Sequence, residues 1–263
     1  MVDIHCHLLP GLDDGSDDLE MSLKMAETAI ADGITHVIAT PHADAAYRFV
    51  PEDIRAKREE LERHLHGRLI LATGCDFHMS FENVEDLRAD VTKYTLNQKN
   101  YLLVEFNDYS IPPSMDQTLH LIQLFGATPI ITHPERNPLI RSKLGRLYKW
   151  VRQGCYVQVT AQSLLGRFGP AAQKCVESLL ENDAIHFFAS DAHNVSSRPL
   201  QLRDAYEKVR EKRGEEIAQA LFTDNPLAAF EGRPLPYVPG LAEDQIELDE
   251  SGGKKKKKRF WFF

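Results

Sequence analysis

Histidine and carboxylate side chains recur in this chain where short apolar runs end. The first run carries His5 and His7, and the later positions of the same two kinds are His42, Asp76, Glu105, His133, Asp191 and His193. Imidazole and carboxylate are the groups that bind zinc, manganese and iron in proteins. Because such residues recur at the ends of apolar runs, the sequence predicts a site for several metal ions. Metal-assisted hydrolysis is the chemistry that such a site would perform.

The first motif is His5-Cys6-His7. In a β-strand, residues two apart project from the same face, so His5 and His7 can reach a common ion while Cys6 points the other way. The motif alone has little specificity, because two histidines at a partly exposed strand end would explain it as well. Asp13 and Asp14 follow in a predicted turn, and this context makes Asp14 a further candidate ligand.

Three later run ends repeat this theme. They are the Thr-Pro-His motif ending at His42, the His-Pro-Glu-Arg motif starting at His133, and the Asp-Ala-His motif from Asp191 to His193. If these histidines had purely structural roles, the same coincidence of residue type and position would have to arise independently at each motif. The set as a whole therefore favours a metal site. Glu105 ends an apolar run, where burial of a carboxylate costs free energy unless the group is paired or coordinated.

Strands and helices alternate along the chain. Runs of β-type residues predict seven strands, at residues 2–5, 36–40, 69–74, 102–106, 129–132, 156–159 and 185–189. Helical spacing lies between them, at residues 20–32, 51–66, 115–125, 144–153, 170–181 and 198–212. Asp17, three residues before Glu20, predicts the start of the first helix, and Gly33 predicts its end.

This alternation fits either an open doubly wound sheet or a closed barrel with helices outside. Candidate ligands follow nearly every predicted strand. A barrel gathers the carboxyl ends of all its strands at one face, whereas an open sheet gathers only those at its switch point. The sequence therefore predicts an α/β fold, specifically a distorted TIM-like barrel of seven βα units.

Composition limits the class of protein. The chain has 263 residues, 43% hydrophobic and 27% charged, which is ordinary for one globular domain. Six positive charges lie in residues 254–259, so a total of −8 leaves −14 for the rest of the chain. Such an acidic body argues against nucleic-acid binding through the main domain. With no apolar leader and no run long enough to span a bilayer, we expect a cytoplasmic protein.

Taken together, the motifs resemble the PHP (polymerase and histidinol phosphatase) superfamily and, within it, the bacterial manganese-dependent protein-tyrosine phosphatases of capsule and exopolysaccharide synthesis. The resemblance covers roughly residues 1–235. It implies the PHP fold and three metal ions, manganese with iron or zinc as alternatives, whose ligands would be His5, His7, Asp14, His42, Asp76, Glu105, His133, Asp191 and His193. Asp76 stands where the family often has glutamate, and His78 is the alternative ligand there.

Two arginines follow ligand-bearing run ends. Arg136 lies three residues after His133, and Arg198 lies five residues after His193. Guanidinium binds phosphate oxygens in a fork, so arginines beside metals favour a phosphate substrate. The resemblance gives both arginines this role. The amidohydrolases, which also open with His-x-His, typically bridge their metals with a carboxylated lysine, where this chain has Glu105.

The four cysteines, Cys6, Cys75, Cys155 and Cys175, lack paired spacing and lie in or beside predicted core elements, which predicts reduced and buried thiols. A cysteine-dependent tyrosine phosphatase needs an arginine six positions after its nucleophile. None of the four cysteines has one. A tyrosine phosphatase built on this sequence would therefore use water activated by metal ions.

The sequence thus predicts a metal-dependent protein-tyrosine phosphatase. By resemblance, its substrate would be a bacterial tyrosine kinase that controls capsule or exopolysaccharide synthesis. Two alternatives stay open: another PHP phosphoesterase acting on histidinol phosphate or a nucleotide, and a non-catalytic scaffold tethered to a membrane. An open mouth over the metals would suit a protein substrate, and a deep closed pocket would suit a metabolite.

The chain is predicted to have three parts. Residues 1–235 form the metallophosphatase domain, residues 236–253 an acidic Ser/Gly linker, and residues 254–263 a polybasic and aromatic tail. The tail has six cations followed by four aromatic residues. This composition suits an anionic membrane surface, and so a peripheral location at its inner face, but it suits a solvated tail equally well.

Overall fold

The computed structural model describes residues 1–241, whose β-strands all pair in parallel. The strands are β1 (Val2–Cys6), β2 (His36–Ala39), β3 (His42–Ala43), β4 (Ile70–Thr73), β5 (Asp76–His78), β6 (Tyr101–Glu105), β7 (Thr128–Thr132), β8 (Tyr156–Thr160) and β9 (Phe187–Ala189). They pair in the orders β1-β2-β4 and β3-β5-β6-β7-β8-β9.

Two strands of the sheet are broken in the middle. β2 continues into β3, and β4 continues into β5, after gaps of two residues each. The pairing of β2 with β4 resumes beyond the gaps as the pairing of β3 with β5, where His42 lies opposite Asp76. The nine segments therefore occupy seven positions, which is the number of strands that the sequence predicts.

The sheet closes between its first and last strands. The His7 amide donates to the Ala192 carbonyl oxygen at 2.8 Å, and the Asp191 amide donates to the His5 carbonyl oxygen at 2.8 Å. Cys6 also pairs with Ala192 in a parallel bridge. The predicted distorted α/β barrel is therefore confirmed, with all strand carboxyl ends at one face.

Helices surround the barrel. They are α1 (Leu19–Asp32), α2 (Pro51–Leu65), α3 (Phe81–Ala89), α4 (Met115–Leu124), α5 (Pro138–Arg141), α6 (Leu144–Arg152), α7 (Ala161–Leu164), α8 (Gly169–Glu181), α9 (Arg203–Arg213), α10 (Glu215–Gln219) and α11 (Asn225–Glu231). Short 3-10 turns lie at Val91–Lys93 and Leu96–Gln98, and a π-helical turn lies at Ala220–Asp224. Helical spacing predicts none of α5, α7, α10 and α11, because four to seven residues complete too few turns to show an apolar stripe. It also does not predict α3, which is as long as α6 but buries only Leu87.

The start of α9 differs from the prediction. Helical spacing predicts a helix from residue 198, whereas α9 begins at Arg203. Asn194 explains the difference, because its side-chain oxygen accepts hydrogen bonds from the amides of Ser196, Ser197 and Arg198 and holds them in a turn. At the other end of the chain, α1 is capped by Asp18 rather than by the predicted Asp17.

Apolar side chains fill the amino-terminal end of the barrel. The inner cluster includes Ile4, Ile38, Leu103, Ile130 and Phe187. Ala228 and Ala229 of α11 belong to the same cluster, and Phe230 lies against His36, the first residue of β2. Helix α11 therefore closes this end, and a second cluster packs the helices around the outside of the sheet. Of the two ends of the barrel formed by residues 1–241, the carboxyl-terminal one is left open for a site.

All four cysteines are free and buried. Burial raises the pKa of the Cys155 and Cys175 thiols to about 12 and that of Cys6 and Cys75 well above its usual value. A thiolate nucleophile is therefore disfavoured at each position. In the described part of the chain, no helix combines the length and apolar character that crossing a bilayer would need.

The folded chain continues past Leu235. The Asn225 side chain accepts from the Tyr237 amide at 3.1 Å and donates to the Tyr237 carbonyl oxygen at 2.7 Å. Tyr237 and Leu241 both pack against the outer cluster. The rest of the predicted linker and the whole predicted tail, residues 242–263, lie outside the described residues.

Candidate metal centre

The carboxyl-terminal face of the barrel carries all nine predicted ligands. Their positions are His5 in β1, His7 and Asp14 after β1, His42 in β3, Asp76 in β5, Glu105 in β6, His133 after β7, and Asp191 and His193 after β9. Within residues 1–241 they form four groups, in each of which the donor atoms lie within 4.8 Å of one another: His7, Asp14, His42 and His193; His5, His7 and Asp76; His5, His133 and Asp191; and His42, Asp76 and Glu105. Because the groups share members, they form one continuous cluster.

The separations within the cluster match metal coordination. Two ligand atoms that each lie about 2.0–2.2 Å from one ion are about 3 to 3.5 Å apart. His5 Nε2 lies 3.3 Å from Asp76 Oδ2, and His193 Nε2 lies 3.3 Å from Asp14 Oδ1. The donor atoms are therefore already spaced as ligands of shared ions would be.

Hydrogen bonds hold the imidazoles with one nitrogen toward the cluster. His5 Nδ1 donates to Gln158 Oε1 at 2.9 Å, and His7 Nδ1 donates to Asp13 Oδ2 at 2.6 Å. His193 Nδ1 lies 3.1 Å from a backbone carbonyl oxygen. Each bond keeps the proton of the neutral imidazole on Nδ1, so that Nε2 faces the cluster and can bind a cation in place of a second proton.

Sequence reasoning missed the two side chains that make these bonds. It treats Asp13 only as a turn residue, although Asp13 also accepts from the His42 amide at 3.1 Å and so ties the first loop to β3. Gln158 is fully buried in β8. An amide inside an otherwise apolar strand is the signal that could have identified it, because buried polar groups need partners.

Several buried atoms of the cluster have no hydrogen-bond partner. They are Nε2 of His5, Nε2 of His7, Nδ1 of His42, and both carboxylate oxygens of Asp76. Leaving such atoms unsatisfied costs about 1–3 kcal/mol each, and more for charged groups. Bound cations would satisfy all of them, so the donor set fits a metal centre.

Buried carboxylates dominate the electrostatics of the cluster. Burial alone would lower the pKa of His5, but Asp76 and Asp191 raise it to about 9. Burial likewise opposes protonation of His42, yet Asp14 and Asp76 raise its pKa to about 10. The negative field that stabilises protons on these imidazoles equally stabilises a bound cation.

The break between β4 and β5 delivers Asp76 to the cluster. The Asp76 amide donates to the Pro41 carbonyl oxygen at 3.2 Å, and Asp76 is fully buried. Gly74 lies in the break and packs against Leu96, where a Cβ would lie 2.7 Å from a methyl carbon of that side chain. His78, the alternative ligand, belongs to none of the four groups and has its Nδ1 3.7 Å from Glu105 Oε2. The shorter Asp76 side chain therefore reaches the cluster because its backbone turns inward.

Two candidate ligands lie on strained backbone. His133 has φ of +31° and Asp191 has φ of +50°, in a region that residues other than glycine rarely adopt. Such a residue typically costs about 1–3 kcal/mol. Both follow the ends of strands, where the abrupt turn directs the side chain into the cluster.

The two predicted phosphate-binding arginines border the cluster. Arg136 and Arg198 both form ion pairs with Asp191 Oδ2, and the Arg198 contact is 2.6 Å. Their guanidinium carbons lie 4.6 and 5.9 Å from the centre of the Phe168 ring. Phe168, which sequence reasoning missed, therefore contacts both cations, and nothing in its local sequence marks it out.

An open mouth of about 520 Å³ lies above the cluster. Aromatic residues Tyr47, Tyr109 and Phe168 line it, together with Arg136. The Tyr109 side chain is 91% exposed, so the rim is open to solvent. The arrangement can place a phosphate group between the ligand cluster and the arginines, with aromatic surface around its ester group.

Comparison with known proteins gives a consistent result. The family model described as capsular polysaccharide synthesis, CpsB/CapC, matches residues 1–231. Tyrosine-protein phosphatase YwqE of Bacillus subtilis (strain 168) is 37% identical over 229 residues, which cover 86% of this chain and 89% of YwqE.

Solved structures agree with this relationship. One solved structure comes from work on YwqE of Bacillus subtilis and CpsB of Streptococcus pneumoniae, which are described there as metal-dependent tyrosine phosphatases. It superposes on this chain with a TM-score of 0.85 at 34% sequence identity, and the superposition covers 92% of this chain and 100% of that chain. Histidinol phosphate phosphatase of Lactococcus lactis, at 12% identity, superposes with a TM-score of 0.55 over 81% of this chain and 93% of its own, and supports the fold alone. This chain therefore belongs to the CpsB/CapC family of capsular polysaccharide synthesis.

Proposed function

We propose that this chain is a metal-dependent tyrosine-protein phosphatase. The observation that carries the proposal is one cluster of nine imidazole and carboxylate ligands, bordered by two arginines, beneath one open mouth. The similar proteins YwqE and CpsB are tyrosine phosphatases, and their solved structures are described as metal-dependent. A thiolate mechanism is disfavoured because all four thiols are buried.

The nine cluster residues would hold the metal ions. We take these to be three Mn²⁺ ions, although the donor set also accepts iron and zinc. When bound, the ions would supply Lewis acidity that polarises the phosphate ester and activates water. We assign Asp76 rather than His78 to the set, because both Asp76 oxygens are buried and lack hydrogen-bond partners.

Arg136 and Arg198 would bind the phosphate oxygens. Each guanidinium has five N–H donors, so pairing with Asp191 leaves donors for a second anion. Charge that builds up on the equatorial oxygens during phosphoryl transfer would be neutralised by both arginines. The phenolate leaving group has a pKa near 10, and so needs less help from a general acid than an alkoxide would.

The open mouth supports a protein substrate. Tyr109 at the rim is 91% exposed, and the Asp14 side chain is 49% exposed. A phosphotyrosine on a polypeptide can therefore enter without a lid having to open. We propose that this polypeptide is a bacterial tyrosine kinase of capsule or exopolysaccharide synthesis; the description of the family supports the link to capsular polysaccharide synthesis.

A substrate panel tests the proposal. Metal-reconstituted protein would be assayed on a phosphotyrosine peptide, a phosphoserine peptide, histidinol phosphate and a nucleotide, with His133→Ala as the control and metal content measured in parallel. We expect the highest kcat/KM for the phosphotyrosine peptide, with Mn²⁺ restoring the most activity. Preference for histidinol phosphate would contradict the proposal.

We also propose that residues 254–263 hold the protein at the inner face of an anionic membrane. The support is their sequence alone, because each basic residue near such a surface contributes about 1 kcal/mol and the aromatic residues prefer the interface. Deleting the tail should abolish sedimentation with phosphatidylserine liposomes without changing turnover of a small aryl phosphate. Unchanged sedimentation would disprove the tether.

A further inference from the structure

A second cleft, here called the basic cleft, lies beside the mouth. It has a volume of about 610 Å³, and the charged residues at its wall are Arg48, Arg55, Arg58, Lys93, Glu52 and Asp90. The chain outside residues 254–259 has a net charge of −14, within the total of −8. The basic cleft therefore has more cationic than anionic residues at its wall, whereas the chain outside residues 254–259 is negatively charged.

Two of the four cations of the basic cleft have no ion-pair partner. Within residues 1–241, neither Arg48 nor Arg55 forms an ion pair, and both are exposed. Arg58 forms long ion pairs with Glu62 at 3.7 Å and with Glu59 at 3.8 Å, but its Nε is buried without a hydrogen-bond partner. Lys93 is paired with a carboxylate. The guanidinium groups of Arg48 and Arg55 are thus available to a ligand.

One segment forms a wall shared by the basic cleft and the mouth. Tyr47 lines the mouth, and Arg48, the next residue, lines the basic cleft, so their Cα atoms are about 3.8 Å apart. The Asp44 side chain accepts from the Tyr47 amide at 2.8 Å, and the Phe49 ring packs 5.0 Å from that of Tyr94. The wall is therefore anchored on both sides of the two residues.

We propose that the basic cleft binds a second phosphotyrosine of the polypeptide whose first phosphotyrosine lies over the metal centre. The inference rests on the proposed function. Guanidinium groups pair with phosphate in a fork, and a phosphate group carries nearly two negative charges near neutral pH, which matches the two unpaired arginines better than one carboxylate does. The enzyme would thus prefer segments with neighbouring phosphotyrosines over segments with one.

Binding of non-hydrolysable peptides tests the cleft without relying on turnover. Metal-loaded protein would be titrated calorimetrically with peptides that carry one phosphonate analogue of phosphotyrosine, or a second one two, four or six residues away. These spacings cover roughly 7 to 20 Å of extended chain. At one of them we expect the second phosphonate to raise affinity about tenfold, the scale of one charge-assisted hydrogen bond. A glutamate in place of the second phosphonate should give less.

Paired variants locate the effect. Arg48→Gln/Arg55→Gln should lose the gain from the second phosphonate, whereas Lys57→Gln/Arg63→Gln, which removes two charges from α2 outside the cleft, should keep it. Turnover of a small aryl phosphate should be unchanged in both. The inference is wrong if wild-type protein gains nothing at any spacing, or if both double variants behave alike. Failure to hydrolyse any phosphotyrosine peptide would instead contradict the proposed function, and the affinity comparison would still decide the cleft.

Discussion

Two fully buried histidines at opposite ends of the barrel have opposite pKa shifts. At the amino-terminal end, burial lowers the pKa of His186 to about 3, and its Nδ1 only accepts a hydrogen bond from the Val157 amide at 3.2 Å. At the carboxyl-terminal end, burial acts on His5 in the same direction, but Asp76 and Asp191 raise its pKa to about 9. Burial alone therefore does not determine the charge of a histidine; neighbouring carboxylates do.

The same contrast holds for the two ends as a whole. Apolar side chains and α11 fill the amino-terminal end, which supplies stability. Nine ionisable candidate ligands, two of them on strained backbone, occupy the carboxyl-terminal end. Without cations this end costs free energy, because it concentrates buried charge and unsatisfied atoms. We therefore expect substitutions at the two ends to have separable effects.

The largest effect should come from Asp76→Asn, which removes a ligand charge shared by two groups of the cluster. We expect bound metal to fall and kcat/KM for a phosphotyrosine peptide to drop by about 100-fold or more. His78→Asn, two residues along the same strand, is the matched control and should change kcat/KM by less than about threefold. Metal analysis and steady-state kinetics measure both. Equal losses in the two variants would refute the assignment of Asp76.

At the amino-terminal end, Phe187→Ala should lower the free energy of unfolding by about 3–5 kcal/mol, because it leaves a cavity in the inner cluster. Metal content per folded molecule should not change. Leu124→Ala, at an exposed site on α4, should alter stability by less than about 0.5 kcal/mol. Urea denaturation followed by circular dichroism gives these values, and loss of metal from folded Phe187→Ala protein would show that the ends are not separable.

Gln158→Leu should lower metal affinity at a modest cost in stability. The substitution removes the acceptor that orients His5, so metal affinity should fall about 10- to 100-fold. In metal-free protein it leaves the buried His5 Nδ1 without an acceptor, a loss of about 1–3 kcal/mol that is partly offset because Gln158 Nε2 is itself buried without a partner. Competition with a chelator and thermal unfolding distinguish the two effects. Unchanged metal affinity would argue against a role for Gln158 in orienting His5.

Near neutral pH, the smallest effect is that of His186, which contributes only as the solution becomes acidic. Its folded-state pKa of about 3 lies below the ordinary value of 6.5, so below about pH 6.5 the unfolded chain binds a proton that the folded protein excludes. Stability should therefore fall as pH decreases toward 3, by up to about 1.4 kcal/mol per pH unit from this group. His186→Gln should reduce that slope in metal-free protein, whereas exposed His64→Gln should not. Parallel slopes for all three proteins would contradict this explanation.

Much of the architecture was predictable from local sequence. Alternating strands and helices, and ligands placed at strand ends, indicated a barrel with its site at the carboxyl-terminal face, because periodicity and motif position are local properties. The start of α9 was not predictable from periodicity alone, since the side chain of Asn194 competes for the amides of the next residues. The short helices were not predictable either, because their apolar residues showed no detectable helical spacing.

The amino-acid sequence by itself determined which side chains could bind metal, that no cysteine could serve as the nucleophile of a phosphatase, and that two arginines follow ligand positions. Only the tertiary structure decided which ligands share a group, how the broken strand turns Asp76 inward, and which side chains support the cluster. Gln158 contacts His5 across 153 positions, and Phe168 contacts both arginines from a separate loop. Such contacts depend on barrel closure, which brings together residues that are far apart in the sequence. The local sequence around one of them gives no information about the other.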